Sequence, residues 1–510
     1  MRRIASPGTF ALASFGLLIA GCGEADVDVS QQYGPDPVLP APEQSLVPDL
    51  KVAEVVGWQD GQAPTVADGL AVTAYANDLA NPRTVHTLPN GDVLVVQSKA
   101  PPGKPLNRPK DIIRGFIMGM AAGGGGGGKP KETNLITLLR DTNRDGQVDE
   151  RSDILTGLTS PFGVAWYEDT LYVAAADAIL AYPYQLGQAK IDAPPTVLTP
   201  LPGGPINHHW TKDLALSPDG RFLYASVGSN SNAGERGLEA EKGRAAIWKV
   251  DRQTGASKVF ASGLRNPNGL NFHPDSGELW TVVNERDELG PNLVPDYMTS
   301  VREDGFYGWP WSYFGQHVDK RVQPPRPDLV EKAISPDYAL TSHVAALGLA
   351  FTDDSAMPEA YRNGAFVGNH GSWNRTAFNG YKVIYIPFTD GRPSGDPQDV
   401  VTGFLDGDQA RGRPVGLTID GTGALLIADD AGNTVWRVAT ADGSVTPEPV
   451  PTDRVAAEVG GEDAGVPNDT AAPAAGEETQ PVTDGDTPEP SPTEVAPAVG
   501  PEDGTPAPQP

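Results

Sequence analysis

One pattern recurs six times between residues 82 and 428: a short opening, an apolar stretch, an Asp- or Asn-containing turn with glycine in all but the second copy, and a second apolar stretch. Its copies are Pro82 to Gln97, Pro161 to Ala174, Lys212 to Ser226, Pro267 to Val282, Ala345 to Gly368 with a longer middle, and Pro414 to Ala428. Alternating apolar runs around Asn-Gly or Asp-Gly are the strongest local signal for a β-hairpin. Shorter strand-like segments, such as Ile247 to Val250 and Val383 to Ile386, lie between the copies. The expected fold is therefore all-β: a six-bladed β-propeller of four-stranded antiparallel blades over residues 66–441. Gly69 to Ala76 reads as a strand placed to complete the last blade beside Asn433 to Val438, closing the ring. An irregular pair of β-sandwiches is the alternative, and long runs with turn signals but no helical period argue against it.

Around this body the chain changes character. Arg2 and Arg3 precede an apolar run from Phe10 to Ala20 that ends in Leu18-Ile19-Ala20-Gly21-Cys22, the pattern of a bacterial lipoprotein signal. Residues 1–21 are expected as the signal peptide and Cys22, the single cysteine, as the lipidated residue, giving a membrane-anchored envelope protein without disulfides. Gly23, in place of aspartate, favours an outer membrane where one exists. Residues 22–65, rich in Pro and Asp, read as a flexible tether. Residues 442–510 hold 15 acidic side chains, one arginine and almost no large apolar residues, and are expected to stay disordered. That tail carries about half of the net charge of −28, a balance that argues against a nucleic-acid partner. An insertion at 99–131 holds an apolar stretch and six consecutive glycines. A lid, a membrane-touching patch and a partner site are all compatible with it.

A propeller brings the starts of its inner strands together at one mouth of its channel. Arg83 opens the first hairpin copy, His208 and His209 precede the third, Arg265 and Asn266 open the fourth, His343 precedes the fifth, and Arg411 and Arg413 precede the sixth. His370 and Arg375 sit in the loop Gly368-Asn369-His370-Gly371-Ser372-Trp373-Asn374-Arg375. Several guanidinium groups in one funnel call for a small polyanion, because the planar fork binds carboxylate or phosphate through two parallel hydrogen bonds.

The runs Gly263-Leu264-Arg265-Asn266-Pro267-Asn268-Gly269-Leu270, Gly305-Phe306-Tyr307-Gly308-Trp309-Pro310 and Arg411-Gly412-Arg413 resemble the soluble sugar dehydrogenases that use pyrroloquinoline quinone (PQQ). The Gly368 to Arg375 loop and Asn284-Glu285-Arg286-Asp287-Glu288-Leu289-Gly290 are similar to the sorbosone dehydrogenase branch, and the likeness covers nearly all of residues 66–440. The resemblance implies a PQQ- and calcium-dependent oxidation of a sugar or sugar-derived aldehyde, with hydride passing to PQQ and a histidine ahead of the third hairpin as base. Counting His-x-x-x-x-Leu back from Leu214 gives His209 that role, with His208 as the alternate. It implies cofactor contacts from Arg265, Asn266, Arg411 and Arg413, with Arg375 where the family places a basic residue; Arg83, His343 and His370 complete the candidate set. Backbone groups of Glu285, Arg286 and Asp287 are the candidates for a calcium ion beside the cofactor. A quinone or cytochrome in the envelope is the implied electron acceptor. Departures from the glucose-oxidising members, at Leu158-Thr159-Ser160-Pro161 and at Gly228-Ser229, put glucose itself in doubt.

A second metal signal is independent of that likeness. Asp141, Asn143, Asp145, Gln147 and Asp149 alternate around Gly146, a spacing suited to a structural calcium loop between two outer strands. Two other functions use the same fold: a calcium-dependent lactonase or hydrolase, and a non-catalytic binding propeller. A lactonase has no use for several guanidinium groups at one mouth, and a non-catalytic binding propeller would be unaffected by PQQ.

Overall fold

A computed structural model of the chain describes residues 28–44, 50–102, 132–204, 206–352 and 355–441. The expected signal peptide, Cys22, most of the 99–131 insertion and the acidic tail lie outside the described residues. Among the described residues no helix is long and apolar enough to cross a membrane.

The body is nearly all β, and each hairpin copy forms the first two strands of an antiparallel sheet. The first sheet runs Pro82–Thr87, Val93–Gln97, Leu135–Arg140, Glu150–Leu155. The sixth runs Pro414–Ile419, Leu425–Asp429, Thr434–Thr440, and then takes Leu70–Ala76 as its fourth strand, with Val438 opposite Val72. The sheets between them begin at Val164–Tyr167, Leu214–Leu216, Pro267–Phe272 and Ala346–Phe351.

The first strands lie beside one another, Pro82–Thr87 next to both Val164–Tyr167 and Pro414–Ile419. Glycine permits this approach. A side-chain carbon on Gly348 would stand 2.1 Å from the Val415 carbonyl oxygen, and one on Gly416 would stand 2.7 Å from the Arg83 carbonyl oxygen. Between sheets the packing is apolar. Trp280, Val282, Met298 and Leu340 of the fourth sheet meet Leu349, Phe351, Val367 and Ile384 of the fifth. Such close-packed apolar layers are the main source of stability in a chain with one cysteine.

Within 22–65, described residues pack on the body at several points. Tyr33–Gly34 pairs with Leu340 and Ala339 at the edge of the fourth sheet, and Thr65–Val66 pairs with Val401 and Thr402 at the edge of the fifth. Gln32 and Ala53 are fully buried. Low average hydrophobicity hid a few well-spaced apolar residues that find partners on exposed sheet edges, which are ready templates for added strands.

Candidate functional site

In an antiparallel pair the start of the first strand faces the end of the second. Pro414 stands opposite Asp429, and Pro82 opposite Gln97. The mouth is therefore built from both ends of each hairpin, and the residues that follow the second strand matter as much as those that open the first.

On the side of the fifth, sixth and first sheets, Asp430 is the centre. Its carboxylate accepts hydrogen bonds from Arg83 Nη1 and from His370 Nε2, the latter 3.0 Å from both oxygens. Burial works against ionisation here, yet His370, Arg83 and Arg413 hold the Asp430 carboxyl well below the usual range. His370 is lowered by burial and by the charges of Arg413 and Arg83, with Asp430 pulling the other way. Arg413 lies over the Tyr381 ring, 5.3 Å from its centroid, and its Nη2 is 3.3 Å from the Tyr381 hydroxyl. Its backbone N–H donates to Asp429 Oδ1 at 2.7 Å. The Nε donors of both Arg83 and Arg413 are buried and meet no protein acceptor. Unpaired buried donors are rare enough to need a reason.

On the side of the third and fourth sheets stands His209. Its Nδ1 is 2.9 Å from the Ser229 carbonyl oxygen and 3.0 Å from Ser229 Oγ. A carbonyl only accepts, so this contact keeps the proton on Nδ1 and leaves the lone pair on Nε2. Desolvation, then the charges of Arg265 and His208, push His209 well below the ordinary imidazole value, so the ring is neutral at physiological pH. The His208 ring meets it edge-on at 4.6 Å. Gly228 makes the space: a side-chain carbon there would stand 2.5 Å from His209 Cβ and 2.4 Å from Asn266 Oδ1. Asn266 Oδ1 is itself buried without a partner.

Arg244 was not anticipated from the sequence. Its guanidinium reaches the carbonyls of Gly228 at 2.9 Å, Pro202 at 2.7 Å and His209 at 3.0 Å, and Asn207 Oδ1 at 2.8 Å. It fixes the loop that carries His209. Asp430 was missed as well. The signal available for it was its place directly after the second strand of a hairpin copy; for Arg244, in the loop ahead of Ala246–Asp251, no sequence signal was present.

Four of the expected residues are already engaged by protein groups. Arg411 turns away from the mouth, about one-third exposed and paired with Asp406. Arg265 is at the mouth, but all its nitrogens are taken: Nε by Asn232 O, Nη1 by the Glu285 and Asn284 carbonyls, Nη2 by Asn232 Oδ1 and Asp287 Oδ2. Arg375 is buried, with Nη1 3.3 Å from Ser342 O and Nη2 2.9 Å from Asn292 Oδ1. His343 is held between Gly290 O at 3.2 Å and Asn374 Nδ2 at 3.0 Å. The last three brace loops at the mouth.

Two of the carbonyls expected to bind calcium beside the cofactor are engaged within the protein. Glu285 O accepts from Arg265 at 2.7 Å, and Asp287 O accepts from Asn232 at 2.9 Å and Arg321 at 3.1 Å. A carbonyl oxygen has two lone pairs, so Glu285 O keeps one for a cation, whereas the two donors to Asp287 O use both. Arg286 is fully buried in ion pairs with Glu285 and Asp319. In the 141–149 loop the flanks are strands, as expected, and Asp141 accepts from the Asp145 and Gly146 amides while Asp149 accepts from Thr142. Asn143 Oδ1 accepts from Asp145 N, and Gln147 N donates to Asp145. Among the described residues no three His, Cys, Asp or Glu side chains are gathered as a metal site. A cavity of about 490 Å³, lined by His86, Trp166, Phe272, Leu349 and Thr418, opens at the opposite, turn end of the strands.

Comparison with known proteins agrees with this architecture. A family model described as TrAA12-like matches residues 134–303 and 329–441. An uncharacterized protein of Borreliella burgdorferi is 28% identical over 296 residues, 55% of this chain and 76% of that protein. The holo PQQ domain of pyranose dehydrogenase from Coprinopsis cinerea superposes with a TM-score of 0.58 at 18% identity, over 76% of this chain and 100% of that one. A family AA12 carbohydrate-active enzyme of Trichoderma reesei gives 0.59 at 18% identity, over 78% and 100%. At these identities the structural likenesses establish a shared fold.

Proposed function

The chain belongs to the TrAA12-like family, and from that premise we propose that it is a PQQ-dependent oxidoreductase acting on a sugar or a sugar-derived aldehyde of the sorbosone kind. In this reading the six sheets that begin with the hairpin copies are the blades of one ring, and Leu70–Ala76 is its closing strand. The observation that carries the proposal is the convergence of Arg83 and Arg413, from opposite ends of the sequence, on one mouth with buried Nε donors that no protein acceptor meets. Those donors suit a small polycarboxylate, and Asn266 Oδ1 supplies a third unmatched polar atom beside His209. A hydrolase has no use for this set.

When bound, PQQ supplies the two-electron acceptor for hydride from the substrate carbon. The protein's own contribution begins at His209. Its Nε2 takes the hydroxyl proton of the substrate alcohol, or of an aldehyde hydrate, while Ser229 holds the tautomer. Arg244 keeps the His209 loop in place. Arg83 and Arg413 hold carboxylate groups of the cofactor. A second reading gives the base role to His370, because the Asp430 carboxylate stands within hydrogen-bond reach of it and would stabilise the imidazolium formed on proton uptake. Attachment to the envelope through Cys22, a quinone or cytochrome acceptor, and a structural calcium in the 141–149 loop belong to the same proposal.

The test is dye reduction by the purified protein with PQQ, over a panel of sugars and aldehydes, with and without calcium. Dye reduction that is equally fast without PQQ overturns the proposal. His209→Ala is expected to lose roughly 10²- to 10⁴-fold in turnover while keeping PQQ affinity. If His370→Ala shows that loss and His209→Ala does not, the second reading holds.

A further inference from the structure

The segment ahead of the first sheet does more than dock. It is hydrogen-bonded to three loops at the mouth. Gln32 Nε2 donates to Asn292 O at 2.7 Å, beside the Asn292 Oδ1 that accepts from Arg375. Lys51 N donates to Trp373 O at 3.1 Å, in the loop that carries His370. Trp58 Nε1 donates to Asp429 Oδ2 at 2.7 Å.

The third contact reaches furthest into the site. Asp429 is fully buried and accepts from four donors: Arg413 N at 2.7 Å, Gly432 N at 2.7 Å, Trp436 Nε1 at 3.1 Å, and Trp58. The first three come from the sixth sheet and its own turn. Trp58 comes from a segment 371 residues away and packs edge-on against Trp436 and Phe404 at 5.2 and 5.8 Å. Room for its indole exists because residue 432 is glycine; a side-chain carbon there would stand 2.4 Å from Trp58 Nε1. The residue after Asp429 is Asp430, which bridges Arg83 and His370 and whose own amide donates to Arg413 O at 3.3 Å.

We propose that Trp58 is a positioning residue: its indole N–H fixes the Asp429 carboxylate, and through it the Arg413 backbone and the Asp430 bridge that shape the anion-binding mouth. The N-terminal segment is then a working wall of the site. A hydrogen bond to a buried carboxylate is among the stronger ones in a protein, so its loss loosens what the carboxylate holds. The cofactor arm of the test rests on the PQQ reading above; the exchange arm does not.

Trp58→Phe keeps an aromatic ring against Trp436 and Phe404 and removes the N–H with part of the indole volume, while Trp58→Ala removes the ring as well. In the full-length protein, hydrogen exchange at the Arg413 and Gly432 amides is expected to rise roughly tenfold in Trp58→Phe, with no change at Thr170–Ala174 in the second sheet. The PQQ dissociation constant, read from tryptophan quenching, is expected to rise several-fold. Wild-type exchange at Arg413 and Gly432 in Trp58→Phe overturns the proposal, and so does a rise spread evenly over all sheets, which would make Trp58 a general stability residue. If the wild-type protein fails to bind PQQ, the functional reading falls and the exchange result still decides the role of Trp58.

Discussion

Asp430→Asn tests the electrostatics of the mouth. The substitution keeps the shape of the side chain and removes its charge. In the wild type the Asp430 carboxylate is 9% exposed and Arg83 14%, so the ion pair is largely withdrawn from water. Removing one partner of a buried pair costs about 3–5 kcal/mol, because the other charge stays buried without compensation. Arg83 retains some solvent and the Asn carbonyl still accepts one bond, which brings the expected loss to about 2–3 kcal/mol at neutral pH. At about 2–4 °C per kcal/mol that is a fall of several degrees in melting temperature. The pH dependence has a definite sign. The folded Asp430 value lies below its unfolded one, so its stabilisation is complete above about pH 4 and is lost only as pH falls through the folded value. His370 is also lowered, and its folded, neutral form loses stability as pH drops below about 6.5, where the unfolded ring takes up a proton first. Calorimetric melting of both proteins between pH 4 and 8 should therefore show a gap that persists across this range. A variant that melts within a degree of wild type at pH 7 would refute the reasoning, since it would mean the carboxylate does not hold Arg83 and His370 together.

The two arginines of Arg411-Gly412-Arg413 should behave differently. Arg411→Ala, which breaks an exposed pair with Asp406, is expected to change stability by less than about 1 kcal/mol and to leave PQQ affinity unchanged. Arg413→Ala should weaken PQQ by roughly tenfold or more; equal losses in a binding titration would return Arg411 to the site. Calcium should raise the melting temperature and a chelator lower it, and Asp141→Ala should abolish the difference; an indifferent wild type would leave the 141–149 loop as a turn closed by its own side-chain hydrogen bonds.

The hairpins were legible in the sequence because their information is local. An alternating run and a glycine turn specify a strand pair within some fifteen residues, and each of the copies became the first two strands of a sheet. A family likeness was legible for the same reason, in short runs such as Gly263 to Leu270, although the family model that matches is described as TrAA12-like and does not single out the sorbosone branch. What the sequence left undecided was how side chains spend their hydrogen bonds. Arg411 and Arg413 are two residues apart, yet one pairs outward with Asp406 and the other lies over Tyr381. Arg83 and Asp430 are 347 residues apart and touch. The Pro- and Asp-rich segment before residue 66 gave no sign that Trp58 would meet Asp429. These outcomes depend on which distant acceptor stands within about 3 Å once the sheets have packed. Strand periodicity fixes the ends that meet at the mouth; only the folded chain decides which charge there is already matched and which is left to bind something else.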